Sequence, residues 1–188
     1  MLRPWRLTRT DRARAVYEFL AERGVTATWM TEFRRPLATP TEAAPPAAVD
    51  VGPREPAVVE ELGAPVEQLL DDERVVAATE DGAPRGYLFL SVDATHHIHP
   101  LERELHVEGA YLRRVFVAPE HRGRGVAAAL VAAACRAASA EADAATALVA
   151  LDNGPSRALF RGCGFAPARA YRYARAGPLT WRSTRGDI

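Results

Sequence analysis

The chain has 188 residues, and its 24 basic and 24 acidic side chains cancel to a formal charge of zero. Apolar types make up 48% and charged types 26%, which fits one globular domain over residues 1–188 and excludes disordered and fibrous chains. A zero net charge argues against a general nucleic-acid binder, which carries a basic surplus. Because no apolar stretch suits a membrane span or a signal peptide, we expect a cytoplasmic protein without nucleic-acid or membrane partners.

The cysteines and histidines give no metal signature. Cys135 and Cys163 are the only cysteines, and their spacing suits neither zinc nor a redox pair, so we expect reduced thiols. The histidine cluster at residues 96–99, with His106 beyond it, lacks a matching cysteine or HExxH spacing. We therefore expect no metal, and a solvated loop at the histidine cluster.

The first third of the chain combines candidate elements with a proline-rich stretch. The pattern predicts a short strand over residues 2–8 and an amphipathic helix over residues 13–23. Residues 36–56 contain six prolines, which resist regular structure, so we expect a loop or flexible insertion there. Helical spacing returns over residues 58–70, with an acidic surface and interruptions at a glycine and a proline.

The middle of the chain predicts an antiparallel hairpin and then a buried strand. Residues 74–79 and 86–93 are rich in β-formers and flank a turn, so we expect them to pair. Residues 94–109 are polar, and we expect them to be irregular. Residues 110–118 form an apolar run that ends at Pro119, which is typical of a buried strand.

The last third alternates helices and strands. An alanine-rich helix is predicted over residues 126–140 and a strand over residues 146–151. Pro155 suits the first turn of a helix through residue 161, and a last strand region is expected at residues 170–174.

The turn before the alanine-rich helix, Arg122-Gly123-Arg124-Gly125, is the most informative segment. A strand that runs straight into a helix leaves several backbone N–H groups unpaired, and the helix dipole favours an anion there. The two glycines allow close approach of a phosphate, and the two arginines add positive charge. The spacing is neither a Walker loop nor a Rossmann fingerprint. A phosphate site and a plain tight connection both fit the turn taken alone.

Two motifs together resemble the GNAT superfamily of N-acetyltransferases. Arg122-x-x-Gly125-x-Ala127 is similar to the family's Arg/Gln-x-x-Gly-x-Gly/Ala signature. Asn153, Ala158-Leu159-Phe160 and Gly164-Phe165 are similar to its Asn…Ala-Leu-Tyr…Gly-Phe segment. The resemblance is strong over residues 110–170. It implies an α/β (α+β) fold with a mixed, mostly antiparallel central sheet flanked by helices, and a cofactor cleft between the two central strands.

The resemblance implies acetyl-coenzyme A as the co-substrate. The main chain of residues 115–117 would pair with the pantetheine arm, and the amides of residues 123–128 would hold the pyrophosphate. Asn153 would hydrogen-bond the arm, although it also suits a turn before Pro155. The implied cofactor-binding residues are Val115, Phe116, Val117, Arg122, Gly123, Arg124, Gly125, Val126, Ala127, Ala128, Asn153 and Phe160.

The implied reaction is acetyl transfer to a primary amine of a small molecule or peptide, by direct attack in a ternary complex. The N–H of Val115 would stabilise the thioester oxygen. Phe160 stands where the family often has an acid tyrosine, and Tyr111 and Leu148 stand where relatives carry a base glutamate. The base and the acid therefore stay unassigned. The candidate catalytic residues are Val115, Glu108, Tyr111 and Tyr173, and His106 and Tyr171 are further candidates.

The acceptor side and the overall function class stay open in the sequence. Trp29, Phe33 and the acidic segment at residues 58–73 either line the acceptor cleft or are core aromatics and an exposed surface. Because the usual acid is missing, a catalytically silent acyl-coenzyme A binding or sensing module is an alternative to an enzyme. A phosphate or nucleotide binder is a third possibility. The resemblance also leaves a homodimer open.

Overall fold

In a computed structural model of the protein, the described residues are 25–39 and 43–186. The strand predicted at residues 2–8 and the helix predicted at residues 13–23 lie outside them. The strands are β1 (Val25–Pro36), β2 (Val49–Arg54), β3 (Arg74–Glu80), β4 (Ala83–Ile98), β5 (Arg103–Val117), β6 (Ala144–Ala150), β7 (Ala166–Ala176) and β8 (Leu179–Gly186). The α-helices are α1 (Val126–Ala138) and α2 (Gly154–Gly162), and short 3-10 helices cover Pro56–Leu62, Val66–Gln68, His99–Leu101 and Pro119–His121.

The strands form one eight-stranded sheet in the order β2-β3-β4-β5-β6-β1-β7-β8. All neighbours are antiparallel except β5 and β6, which are parallel and pair only at Ala110 with Ala145 and at Tyr111 with Thr146. Beyond Tyr111 the two strands part, and the sheet opens into a cleft at its centre. This architecture confirms the expected mixed, mostly antiparallel sheet flanked by helices.

Several predicted elements are confirmed. The hairpin of β3 and β4 has its strands antiparallel, as predicted. Helix α1 packs its small buried side chains and Leu130 against one face of the sheet, in a core that also holds Phe33 and Phe165. Phe33 is therefore a core aromatic, whereas Trp29 is 51% exposed. None of the helices in the described part of the chain is long and apolar enough to cross a membrane.

The prediction of a loop over residues 36–56 is wrong in part, because Val49–Arg54 forms strand β2 at the edge of the sheet. Pro53 is tolerated there because one side of an edge strand pairs with no other strand, and a missing N–H donor on that side costs no hydrogen bond. The helical prediction for residues 58–70 is also wrong in type. Two 3-10 segments occur instead, separated at Gly63, which has a left-handed φ of 68°.

The prediction of irregular structure at residues 94–109 is wrong. Strand β4 continues to Ile98 and β5 already begins at Arg103, which makes a long hairpin arm. The arm packs Ile98, Leu101 and Val107 against Tyr171 and Tyr173 of β7. This apolar contact gives the polar sequence its extended structure. The expected solvated histidine loop is wrong for His96 and His97, which lie in β4, whereas His99 begins the short 3-10 helix at the tip of the arm.

Besides β2, two further strands have no counterpart among the sequence predictions. Strand β1 lies between β6 and β7, antiparallel to both, and brings residues 30–36 next to the centre of the sheet. Strand β8 pairs with β7 at the opposite edge from β2. The insertion of β1 brings some of its side chains to the candidate site.

Candidate active site

The start of helix α1 is an open anion-binding position. The N-cap residue, Gly125, has a left-handed φ of 85°, and no side chain caps the helix. Gly123 is also left-handed, with φ 73°, and a Cβ atom built at either glycine meets no atom within 4 Å. The first-turn N–H groups of α1 therefore face free space, where the helix dipole favours a negative group.

A cavity of about 510 Å³ runs from this helix start along the end of β5. Strand β5 lines one wall, and Pro155, Ser156 and Leu159 of α2 line the other. The cavity therefore occupies the gap that opens where β5 and β6 part. Its lining includes these predicted cofactor residues: Val115, Phe116, Val117, Arg122, Gly123, Gly125, Val126, Ala127 and Ala128.

Three predicted cofactor residues lie outside that lining. The guanidinium of Arg124 lies 3.4 Å from a carboxylate oxygen of Glu80 and 3.0 Å from Nδ1 of His121. Asn153 caps helix α2, where its Oδ1 accepts a hydrogen bond of 3.2 Å from the N–H of Ser156. This contact agrees with the alternative interpretation of Asn153 as a turn residue. The ring of Phe160 is buried against Phe165, with 5.1 Å between the ring centroids.

Strand β5 carries a β-bulge beside the cavity. Phe116 pairs with Tyr87 and Arg113 pairs with Phe89, so that two residues of β5, Arg114 and Val115, face one residue of β4. Arg114 is left-handed, with φ 54°. A bulge turns the local backbone out of the regular ladder and re-aims its groups. Val115, the predicted oxyanion donor, is one of the two bulged residues.

A buried ion pair holds the strand just before the bulge. The guanidinium of Arg113 donates to Glu73 through Nε at 2.6 Å and through Nη2 at 2.5 Å, and the Glu73 side chain is fully buried. Two hydrogen bonds from one guanidinium to one carboxylate fix the relative orientation of the two side chains as well as pairing their charges. Arg114 is held in turn by Gln68, with 2.5 Å between Nη2 and Oε1.

Beside this ion pair, on the face of the sheet away from α1, burial sets the protonation of two groups near the arm. Nε2 of His96 lies 2.7 Å from Oγ of Ser91, and the His96 ring lies 4.8 Å from that of Tyr111. Burial lowers the pKa of His96, and the charges of Glu73 and Arg113 change it less. Burial also raises the pKa of Tyr111 to about 12. Tyr111 therefore stays protonated at neutral pH and can donate a hydrogen bond but cannot act as a base.

A second cavity, of about 120 Å³, lies on this face between the hairpin arm and strands β6, β1 and β7. It brings together Glu108, His106 and Tyr171, which were candidates from the sequence, with Leu148. Tyr173 lines neither cavity. Its ring is buried below the guanidinium of Arg182, 5.1 Å from the ring centroid.

Three charged residues of the second cavity were not predicted from the sequence: Glu32 and Arg34 of β1 and Arg169 of β7. Glu32 is buried, and its Oε2 accepts a hydrogen bond of 2.7 Å from the Tyr171 hydroxyl. The signal that could have found β1 is the run Val25 to Phe33, which is rich in β-branched and aromatic residues.

The described residues contain no group of three histidine, cysteine or acidic side chains that could hold a metal ion. His97 and His99 contact each other, with 4.7 Å between the ring centroids. His96 is turned to Ser91 instead. The three histidines of the cluster therefore have two different sets of contacts.

The sequence profile of the acetyltransferase (GNAT) family matches residues 41–165, about two thirds of the chain. The chain belongs to this family. Its fold agrees with that of solved relatives, whereas no curated protein matches the sequence significantly.

Three solved structures illustrate the shared fold. A GCN5-related N-acetyltransferase from Kribbella flavida has 18% identity and a TM-score of 0.57, over 85% of this chain and 63% of that chain. One from Sphaerobacter thermophilus has 15% identity and a TM-score of 0.53, over 96% and 59%. A Drosophila protein has 16% identity and a TM-score of 0.58, over 95% and 63%. The chain spans less than two thirds of the length of each of these proteins.

Proposed function

We propose that the protein is an acetyl-coenzyme A dependent N-acetyltransferase that acts on a primary amine of a small molecule or peptide by direct transfer. The observation that carries this proposal is the continuous cavity from the uncapped start of α1 to the bulge at Val115. Membership of the GNAT family supports the acetyl donor. We also propose the cytoplasm as its location, where buried thiols such as Cys135 and Cys163 stay reduced.

The residues of the first cavity fit the parts of acetyl-coenzyme A. The N–H groups at the start of α1 would bind the diphosphate, and the open space at Gly123 and Gly125 would admit it. The extended backbone of residues 115–117 would pair with the amide-bearing arm in the manner of an added strand. When bound, acetyl-coenzyme A supplies the acetyl thioester.

The chain's part in the transfer is to orient the reactants and to stabilise charge. The reaction forms a bond between the amine nitrogen and the acetyl carbon and breaks the carbon–sulfur bond. The proton lost by the amine passes to the thiolate or to solvent. The N–H of Val115, turned by the bulge, would stabilise the negative charge that develops on the acetyl oxygen. Tyr111, with its raised pKa, is suited to donate a hydrogen bond and not to take the proton.

A second candidate function is an acyl-coenzyme A binding or sensing module without turnover. The buried Phe160 ring favours it, because a phenyl group cannot protonate the leaving thiolate. Thiolates are fair leaving groups and ordered water can carry protons, so we place the enzyme first.

The two functions differ in turnover. We expect release of free coenzyme A, followed with a thiol reagent, when the protein is mixed with acetyl-coenzyme A and at least one amine from a panel of amino acids, aminoglycosides, polyamines and peptides. Omission of the amine is the control for simple hydrolysis. Tight binding of the donor without amine-dependent release from any acceptor would favour the sensing module.

A further inference from the structure

The second cavity holds charges of both signs. A hydrogen bond to Tyr171 and the charges of Glu32 and Glu108 raise the pKa of Arg169, so these groups interact across the cavity. Glu32, Glu108, Arg34 and Arg169 all line it. None of the ion pairs among the described residues involves any of the four. A site that presents both signs of charge without a direct ion pair between them is suited to a ligand that carries both signs of charge.

The buried part of this cavity is suited to an ammonium group. Glu32 is 8% exposed, and Tyr171 donates a hydrogen bond to one of its two carboxylate oxygens, Oε2. A carboxylate offers about four acceptor positions. An ammonium group has three donors and no acceptor, so it complements the acceptors that Tyr171 leaves free.

The mouth of the cavity is suited to an anion. The side chains of Arg34 and Arg169 are exposed at its edge, on neighbouring strands β1 and β7. The guanidinium of Arg103 lies 5.9 Å from the Tyr171 ring centroid on the arm side. Guanidinium groups recognise carboxylates through paired hydrogen bonds, and together they would repel a polyamine.

The position of the cavity connects it to the cleft. Thr146 of β6 pairs with Tyr111 of β5 at the point where the strands part, and both Thr146 and Leu148 line the second cavity. Counted from the Thr146–Tyr111 pair, where the strands part, two residues further on lead to Leu148 on β6 and to Arg113 on β5. Arg113 is two residues from Val115, roughly 7 Å at about 3.3 Å per residue. An amine held at the end of the cavity beside Leu148 is therefore near the proposed acetyl position.

The size of the cavity limits the ligand. The second cavity, of about 120 Å³, is much smaller than the first, of about 510 Å³. This space suits an ammonium group on a short stem, with the remainder of the molecule at the mouth between the arginines.

We propose, on the basis of the proposed N-acetyltransferase function, that the second cavity is the acceptor site and that its acceptor is a small zwitterion, an amine that also carries a carboxylate. Glu32 binds the ammonium group, Arg34 and Arg169 bind the carboxylate, and Tyr171 positions Glu32.

The first test compares acceptors with and without the carboxylate. Initial rates of coenzyme A release are measured with alanine against alaninamide and with 4-aminobutyrate against butylamine. We expect kcat/KM for each zwitterion to exceed that of its partner by about tenfold or more. Equal or better turnover of the amines that lack a carboxylate would overturn the proposal and leave the N-acetyltransferase function intact.

The second test assigns the residues. Arg34→Ala combined with Arg169→Ala is expected to abolish the preference for zwitterions, mainly by raising KM. Arg172→Ala, on β7 but outside the cavity, is the matched control and is expected to keep it. Glu32→Gln should lower kcat/KM for every amine, with acetyl-coenzyme A affinity unchanged. If Glu32→Gln does not fold, Tyr171→Phe replaces it, with a smaller loss in the same direction. A preference retained by the double arginine variant would contradict the assignment.

A binding measurement separates this proposal from the function on which it rests. If no amine is turned over, saturation-transfer NMR is used to follow alanine binding to the protein saturated with coenzyme A. Alanine binding that is lost in the double arginine variant, but kept by Arg172→Ala, would support the cavity as a zwitterion site although the enzyme proposal had failed. Absence of alanine binding to the unmodified protein would overturn the site as well.

Discussion

Burial, more than neighbouring charge, determines the state of the titratable residues around the proposed acetyl position. His96 has its pKa lowered mainly by burial, and Tyr111 has its pKa raised to about 12 for the same reason. Both groups are therefore neutral at pH 7. A proton carrier for the amine has to come from elsewhere, and Glu108 and His106, which the sequence had suggested, line the second cavity.

The lowered pKa of His96 predicts a stability effect below neutral pH. As the pH falls below about 6.5, the ordinary pKa of histidine, the unfolded chain takes up the proton before the folded protein does. The free energy of unfolding should therefore fall between about pH 7 and pH 5, and urea denaturation should show a smaller fall for His96→Asn. Exposed His99 supplies the control, since His99→Asn should keep the unmodified slope. Parallel pH profiles for His96→Asn and the unmodified protein would contradict the burial argument.

At the level of elements, the sequence predicted those whose pattern is local. It did not predict those whose structure depends on packing against distant parts of the chain. The β3–β4 hairpin and helix α1 carry their own turn and alanine signals, and both were predicted. Strand β1 was missed although it pairs on both sides. The arm at residues 94–109 was misread because its alternation mixes polar and apolar residues, and only contact with Tyr171 and Tyr173 shows its buried side.

The junction of β5 and β6 depends on Gly109. This residue has a left-handed φ of 78°, and a Cβ atom there would lie 2.6 Å from the carbonyl oxygen of Ala144, at the start of β6. We expect Gly109→Ala to cost roughly 2–5 kcal/mol, the sum of backbone strain and overpacking. Gly63→Ala shares the left-handed φ but meets no atom within 4 Å, so it should cost only about 1–2 kcal/mol. Chemical denaturation of both variants measures the difference, and equal losses would show that strand approach does not constrain this junction.

Across the whole molecule, the two halves of the proposed site differ in how far the sequence reveals them. The donor half is built mainly from one continuous segment, residues 115–128, with α2 as its other wall, and the motif of that segment could be read directly. The acceptor half collects side chains from β5, β6, β1 and β7. Glu32 and Arg169 are far apart in the chain, and only the insertion of β1 beside β7 brings them together. No local sequence pattern predicts such a site.

Calorimetric titration of two matched variants tests whether acetyl-coenzyme A binds through the backbone at the start of α1. Gly125→Glu places an acidic side chain in the cavity. Gly82→Glu imposes the same left-handed strain in a turn outside it, with φ 81° against 85°. We expect the unmodified protein and Gly82→Glu to bind with similar affinity and Gly125→Glu to bind about a hundredfold more weakly, or not at all. Equal binding by Gly125→Glu, or no binding by the unmodified protein, would contradict the account.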